Sequence, residues 1–108
     1  AYFKSQAFAA SVLTDRQTPT AYLAQLAGAD YALLNQIIIC ESGWNPQAVN
    51  RMPPHAKGLF QFMPVTWRGY GTGNILDTYD NIRAGVNLFR AEGTRPWAAS
   101  RTCWQHKK

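Results

Sequence analysis

Apolar positions along the chain fall into blocks separated by glycine, proline and polar punctuation. In residues 2–13, Phe3, Ala7, Phe8 and Val12 fall roughly on one helical face, which predicts a first helix. Asp15 to Thr18 is polar. Thr18-Pro19 predicts a helix start: threonine is a good N-cap, and a proline in the first turn loses no hydrogen bond. Tyr22, Leu23 and Leu26 continue that helix, and Gly28 ends it. Asp30 is placed to cap a third helix over Tyr31 to Ser42, closed by Gly43, Asn45 and Pro46. Residues 50–57, with Met52-Pro53-Pro54-His55, predict a loop. Gly58 to Phe62 lacks helical spacing and predicts a short extended piece. Met63-Pro64 permits a turn of helix over Val65 to Arg68, and the glycines between Gly69 and Asn74 predict another loop. Asp77 can cap a helix from about Thr78 to Ala91, with Ile82, Val86 and Phe89 as its stripe and Gly93 as its stop. A turn around Trp97 to Trp104 finishes the chain. The pattern predicts a mainly α domain with one or two short extended pieces at most, and no internal repeat.

Composition narrows the class. The chain has 108 residues, 46% hydrophobic and 16% charged, which excludes a charge-dominated disordered segment and suits one compact domain over residues 1–108. The longest strong apolar run is Ile37-Ile38-Ile39-Cys40, far short of the roughly 20 residues that span a bilayer, so no transmembrane segment is expected. The first residues carry a single lysine and no long apolar run, so no signal peptide is expected; a mature form or an excised domain of an exported protein stays open. The net charge of +5 is scattered apart from Lys107-Lys108. Scattered basic charge either solubilises the surface or draws it loosely to a polyanion. No zinc-finger spacing, ribonucleoprotein signature or basic helix occurs, so nucleic acid is not an expected partner. Cys40 and Cys103 lie 63 positions apart, and neither they nor His55 and His106 form a zinc-ligand pattern. A disulfide and two buried thiols are both open; a disulfide closing that loop is worth roughly 4 kcal/mol in the chain-entropy model.

The informative residue is Glu41. Leu34, Ile37 and Ile38 precede it at helical spacing, so the stripe that faces the core ends in a carboxylate. A carboxylate in an apolar setting tends to stay protonated, and a neutral carboxylic acid is what general-acid catalysis needs. The alternative is a glutamate that reaches water or pairs with an arginine. The chain has only two glutamates, Glu41 and Glu92, and no acid lies between Glu41 and Asp77. A two-carboxylate hydrolase would need Asp77 or Asp80, both of which can equally cap the next helix. One carboxylate is the simpler scheme. Four Trp, five Tyr and five Phe can stack on sugars or fill the core.

Three motifs then carry a resemblance. Glu41-Ser42-Gly43-Trp44-Asn45-Pro46 resembles the Glu-Ser…Pro motif of the soluble lytic transglycosylase (SLT) family, in the lysozyme superfamily. Gly58-Leu59-Phe60-Gln61-Phe62-Met63-Pro64 resembles its Gly-Leu-Met-Gln-x-Met-Pro segment, and Tyr79-Asp80-Asn81-Ile82 with Ala84-Gly85 its third motif. The motifs keep the family's order over about residues 20–90. Cys40-Glu41-Ser42-Gly43, Gln61-Phe62, Thr66-Trp67 and Cys103 also resemble the resuscitation-promoting factors of actinobacteria, in which the cysteine beside the glutamate bonds to a C-terminal one. That likeness implies a Cys40–Cys103 disulfide.

The resemblance implies a lysozyme-like fold and a peptidoglycan lytic transglycosylase. The bond cut is the β-1,4 link between N-acetylmuramic acid and N-acetylglucosamine. Glu41 is the implied catalytic residue, acid and then base, leaving 1,6-anhydromuramic ends. Ser42, Phe60, Gln61, Tyr79 and Asn81 are implied at the substrate, Ser42 through Glu41 or the sugar; Trp44 and Trp67 are expected mainly to pack. No metal or organic cofactor is implied. The implied partner is the glycan strand, and the implied place is extracellular, in the cell envelope or on a virion, as part of a larger cell-wall or phage tail protein. The alternatives are a muramidase cutting the same bond with water and a non-catalytic glycan-binding module. The chain departs from the family in one respect: many members bear a cleft tyrosine after the third motif, whereas no tyrosine follows Tyr79 here.

Overall fold

The computed structural model describes residues 17–105; the expected helix over residues 2–13 and the tail with His106 and Lys107-Lys108 lie outside them. Among the described residues five α-helices follow in order: α1 (Pro19–Ala27), α2 (Tyr31–Ser42), α3 (Pro64–Tyr70), α4 (Thr78–Glu92) and α5 (Arg101–Gln105). Short 3-10 turns occupy Gly28–Asp30 and Arg95–Ser100. Among the described residues there is no strand, only isolated antiparallel bridges of Lys57 with Val49 and with Phe62.

Local chemistry sets the boundaries. Thr18 caps α1 by accepting from the Ala21 N–H at 3.2 Å, with Pro19 in the first turn. Gly43, at φ 62°, ends α2 in a left-handed conformation that costs a glycine little. Asp77 caps α4, accepting from the N–H groups of Tyr79 and Asp80. Asp30 departs from expectation: it sits ahead of α2, yet its side chain makes no capping bond, because the preceding 3-10 turn already satisfies the helix start through the Tyr31 N–H to the Gly28 carbonyl.

The second departure is Gly58 to Phe62. This segment is a tight turn and not an extended piece. Lys57 and Phe62 exchange backbone hydrogen bonds at 2.9 and 3.0 Å, and the Gln61 N–H donates to the Gly58 carbonyl across the turn. Gly58 stands at φ 83° and Gln61 at φ 55°.

One buried cluster unites Leu23 of α1, Leu34, Ile37 and Ile38 of α2, Leu59, Phe60 and Phe62 of the turn, Ile82, Ala84, Val86 and Leu88 of α4, and Trp97 and Trp104. The 24 residues Pro19–Ser42 satisfy a length-and-hydropathy criterion for a membrane span. Here they form α1 and α2, interrupted at Gly28–Asp30, and Leu23, Leu34, Ile37 and Ile38 are fully buried in this cluster. A Cys40–Cys103 disulfide joins α2 to α5, with the Cα atoms 6.0 Å apart.

Candidate active site

Glu41 lies in the last turn of α2, one turn beyond the fully buried Ile37 and Ile38. Its half-buried carboxyl has a pKa raised above 4.5, chiefly by desolvation. The one opposing influence is the Ser100 hydroxyl, which stands 2.5 Å from Oε2 and lowers the pKa by favouring the ionised form. No charged side chain contributes to that shift.

Ser100 belongs to the turn Arg95–Ser100, which binds the other segments of the site. Its Oγ is also 3.2 Å from the Trp97 carbonyl. The Trp97 indole donates to the Phe60 carbonyl at 3.1 Å, and the Trp104 indole donates to the Trp97 carbonyl at 3.1 Å. Close polar contacts thus link Glu41 through Ser100 and Trp97 to the Gly58–Phe62 turn, the Ser100 hydroxyl having Glu41 and the Trp97 carbonyl as alternative acceptors. Trp97 also packs on Phe60, with ring centroids 5.4 Å apart.

The turn is fixed from beneath. Asn81, 1% exposed, accepts from the Phe60 N–H at 2.9 Å and donates to the Ile75 carbonyl at 2.8 Å. Phe60, also 1% exposed, lies over Gly85 of α4, where a Cβ would stand 2.1 Å from the ring. Both side chains are buried in this structure and shape the turn that carries Gln61. Gln61 is half-buried, and its amide donates to the carbonyls of Ala48 and Gly58 at 3.2 and 3.0 Å. With Phe60, Phe62, Met63, Thr66, Leu88, Pro96 and Trp97 it lines a small pocket.

The remaining candidates are more dispersed. The Ser42 hydroxyl donates to the Ile38 carbonyl at 3.2 Å within its own helix. The hydroxyl that supports Glu41 is Ser100 and not Ser42. Tyr79 donates through its hydroxyl to the Gln17 carbonyl at 2.5 Å and meets Tyr22 edge-on at 5.2 Å, so it ties α4 to the segment ahead of α1. Trp44 donates to Asn35 at 2.8 Å, and Trp67 packs edge-on against Phe62, so both pack as expected. Asp77 caps α4, while Asp80 accepts from the Asn74 N–H and pairs with Arg83 at 2.8 Å. Both carboxylates are occupied in holding the start of α4. Among the described residues no group of three His, Cys, Asp or Glu could hold a metal ion.

Reading the sequence overlooked Ser100 and Trp97. A signal for Ser100 was present: it lies three positions before Cys103, and Cys40 immediately precedes Glu41. Once the two cysteines are joined, helical spacing brings the hydroxyl to the carboxylate.

The family model described as "Transglycosylase SLT domain" matches residues 19–96, which include Glu41, the Gly58–Phe62 turn and Asn81. A stretch of 67 residues, 62% of this chain, is 37% identical to the membrane-bound lytic murein transglycosylase F of Marinobacter nauticus. The match covers only 13% of that relative's length. No solved structure matches the chain. With the greater part of its length matched, including Glu41 and the Gly58–Phe62 turn, the chain belongs to the transglycosylase SLT domain family.

Proposed function

We propose that this domain is a peptidoglycan lytic transglycosylase with Glu41 as its single catalytic carboxyl. The observation that carries the reading is Glu41 itself: a carboxyl at the end of an apolar stripe, its pKa raised by burial, with no second carboxylate among the causes of that shift. Such a group holds its proton at pH values where an exposed glutamate has lost it. It donates that proton to the glycosidic oxygen as the bond from C1 of N-acetylmuramic acid breaks. The resulting carboxylate then removes the proton of the same sugar's C6 hydroxyl while the C6 oxygen bonds to C1. The ring closes as a 1,6-anhydro sugar, the N-acetylglucosamine end leaves with a free hydroxyl, and Glu41 regains its proton. No water is consumed, so no second carboxylate is required to activate one.

Gln61 and the pocket beside it are the surface on which the glycan would rest. The partner is the peptidoglycan glycan strand, and the place of action is the cell envelope or the wall reached from outside. The engagement of Asp77 and Asp80 with the start of α4 favours the transglycosylase over a water-consuming muramidase. Digestion of purified peptidoglycan by the wild type and by Glu41→Gln tests the role of the acid. The wild type is expected to release soluble muropeptides, and E41Q to lose about 100-fold or more in rate, the usual scale for a general acid. An E41Q variant that retains wild-type activity would remove Glu41 from the mechanism.

A further inference from the structure

We propose that Ser100 is the positioning residue for Glu41, and that the Cys40–Cys103 disulfide holds its hydroxyl on the carboxyl. The proposal rests on the reading of Glu41 as the acid.

The geometry gives the hydroxyl two acceptors, Glu41 Oε2 at 2.5 Å and the Trp97 carbonyl at 3.2 Å. A serine has one proton to donate and serves one acceptor at a time. While Glu41 is protonated its carboxyl is a weak acceptor, and the Trp97 carbonyl competes for the hydroxyl. Once Glu41 has released its proton the carboxylate is the stronger acceptor, and the short contact becomes a charge-assisted bond. The interaction therefore strengthens as the acid gives up its proton. An interaction stronger in the transition state than in the ground state raises kcat rather than merely tightening binding. Ser100 keeps its own proton throughout.

The covalent bridge lies beside this hydrogen bond. Cys40 is the residue before Glu41, and Cys103 is one helical turn beyond Ser100. Ser100 ends its own 3-10 turn and leads directly into α5, which is held in place by the buried Trp104 and by the disulfide. The bridge ties α5, and with it Ser100, to the end of α2 beside Glu41. The ionisable groups on the neighbouring segments are Lys57 beside the turn, Arg95, which pairs with Glu92 at 2.9 Å, and Arg101 at the head of α5. Among the described residues no charged group is a cause of the Glu41 shift, so the titration of Glu41 reads Ser100.

The test is the titration of the Glu41 side-chain carboxyl by carbon-13 NMR in wild type, Ser100→Ala, Ser100→Thr and Cys103→Ser, alongside the pH profile of peptidoglycan digestion. Removing a hydrogen bond to the ionised form raises the pKa. S100A is expected to titrate above wild type, S100T to stay near it, and C103S to move in the direction of S100A. In digestion, S100A is expected to lose about 10- to 100-fold in kcat, with the alkaline limb of the profile displaced upward. An S100A that titrates with wild type overturns the proposal, and a C103S that does so overturns the part given to the disulfide. A wild type that releases no product while S100A still shifts the titration overturns Glu41 as the acid and leaves the Ser100 contact standing.

Discussion

Glu41 is disfavoured as an ion where it sits, and that has a consequence for stability. Its folded pKa is raised above the unfolded value of 4.5. A raised pKa means that the native state binds the proton more tightly than the unfolded chain does. The stabilisation from that proton is fully present below pH 4.5 and is lost as pH rises through the higher folded value. Above that folded value the protein carries an unfavourably desolvated carboxylate. Glu41→Gln replaces it with a neutral group of the same shape. E41Q should therefore unfold at a higher temperature than wild type at pH 7, and the difference should shrink toward pH 4. Thermal unfolding of the pair across that range checks it; a variant less stable than wild type at pH 7 would mean that the carboxylate is well solvated. The stripe of Leu34, Ile37, Ile38 and Glu41 was legible because helical spacing alone places four side chains on one line. The support of Glu41 by Ser100 was not, because the two residues are 59 positions apart and meet only through tertiary structure.

The turn from Gly58 to Phe62 is the element on which the site depends. Its conformation is dictated from outside, by Asn81 beneath it and Trp97 beside it. This is why local pattern misread it as extended: Gln61 adopts φ 55°, a conformation uncommon outside glycine, asparagine and aspartate, and no nearby sequence signal announces that. The helix ends were legible because their signals are local, as at Thr18-Pro19, Gly43 and Asp77. Asn81→Ala would leave the Phe60 N–H and the Ile75 carbonyl without their buried partner. The expected loss is about 3 kcal/mol, read as a lower denaturation midpoint, together with reduced digestion as Gln61 loses its support. Gly85→Ala would drive a methyl into the Phe60 ring, where 2.1 Å is available, and should cost about 1–3 kcal/mol. Gly69→Ala is the contrasting case. Nothing lies within 4 Å of that Cβ, and Gly69 is inside α3, so alanine should stabilise by about 0.5–1 kcal/mol. Urea unfolding of the three variants orders them.

For the molecule as a whole, the disulfide joins the middle of the chain to its end across a separation of 63 residues. In the chain-entropy model a loop of that length contributes about 4 kcal/mol by restricting the unfolded state. Replacing both cysteines by alanine should lower stability by that order, which is a large share of what a domain of 108 residues possesses. Equilibrium unfolding of the oxidised and cysteine-free proteins measures it. The residues of the sequence left both a disulfide and two free thiols open, and the choice between them came from the likeness to a disulfide-bonded family. The central claim is that one half-buried carboxyl, unaided by a second, cuts the glycan and closes the sugar ring. Mass spectrometry of the soluble products from purified peptidoglycan tests it most directly. Muropeptides ending in 1,6-anhydromuramic acid are the predicted result. Products with reducing ends would contradict it, since they require a water that Glu41 alone is not proposed to activate.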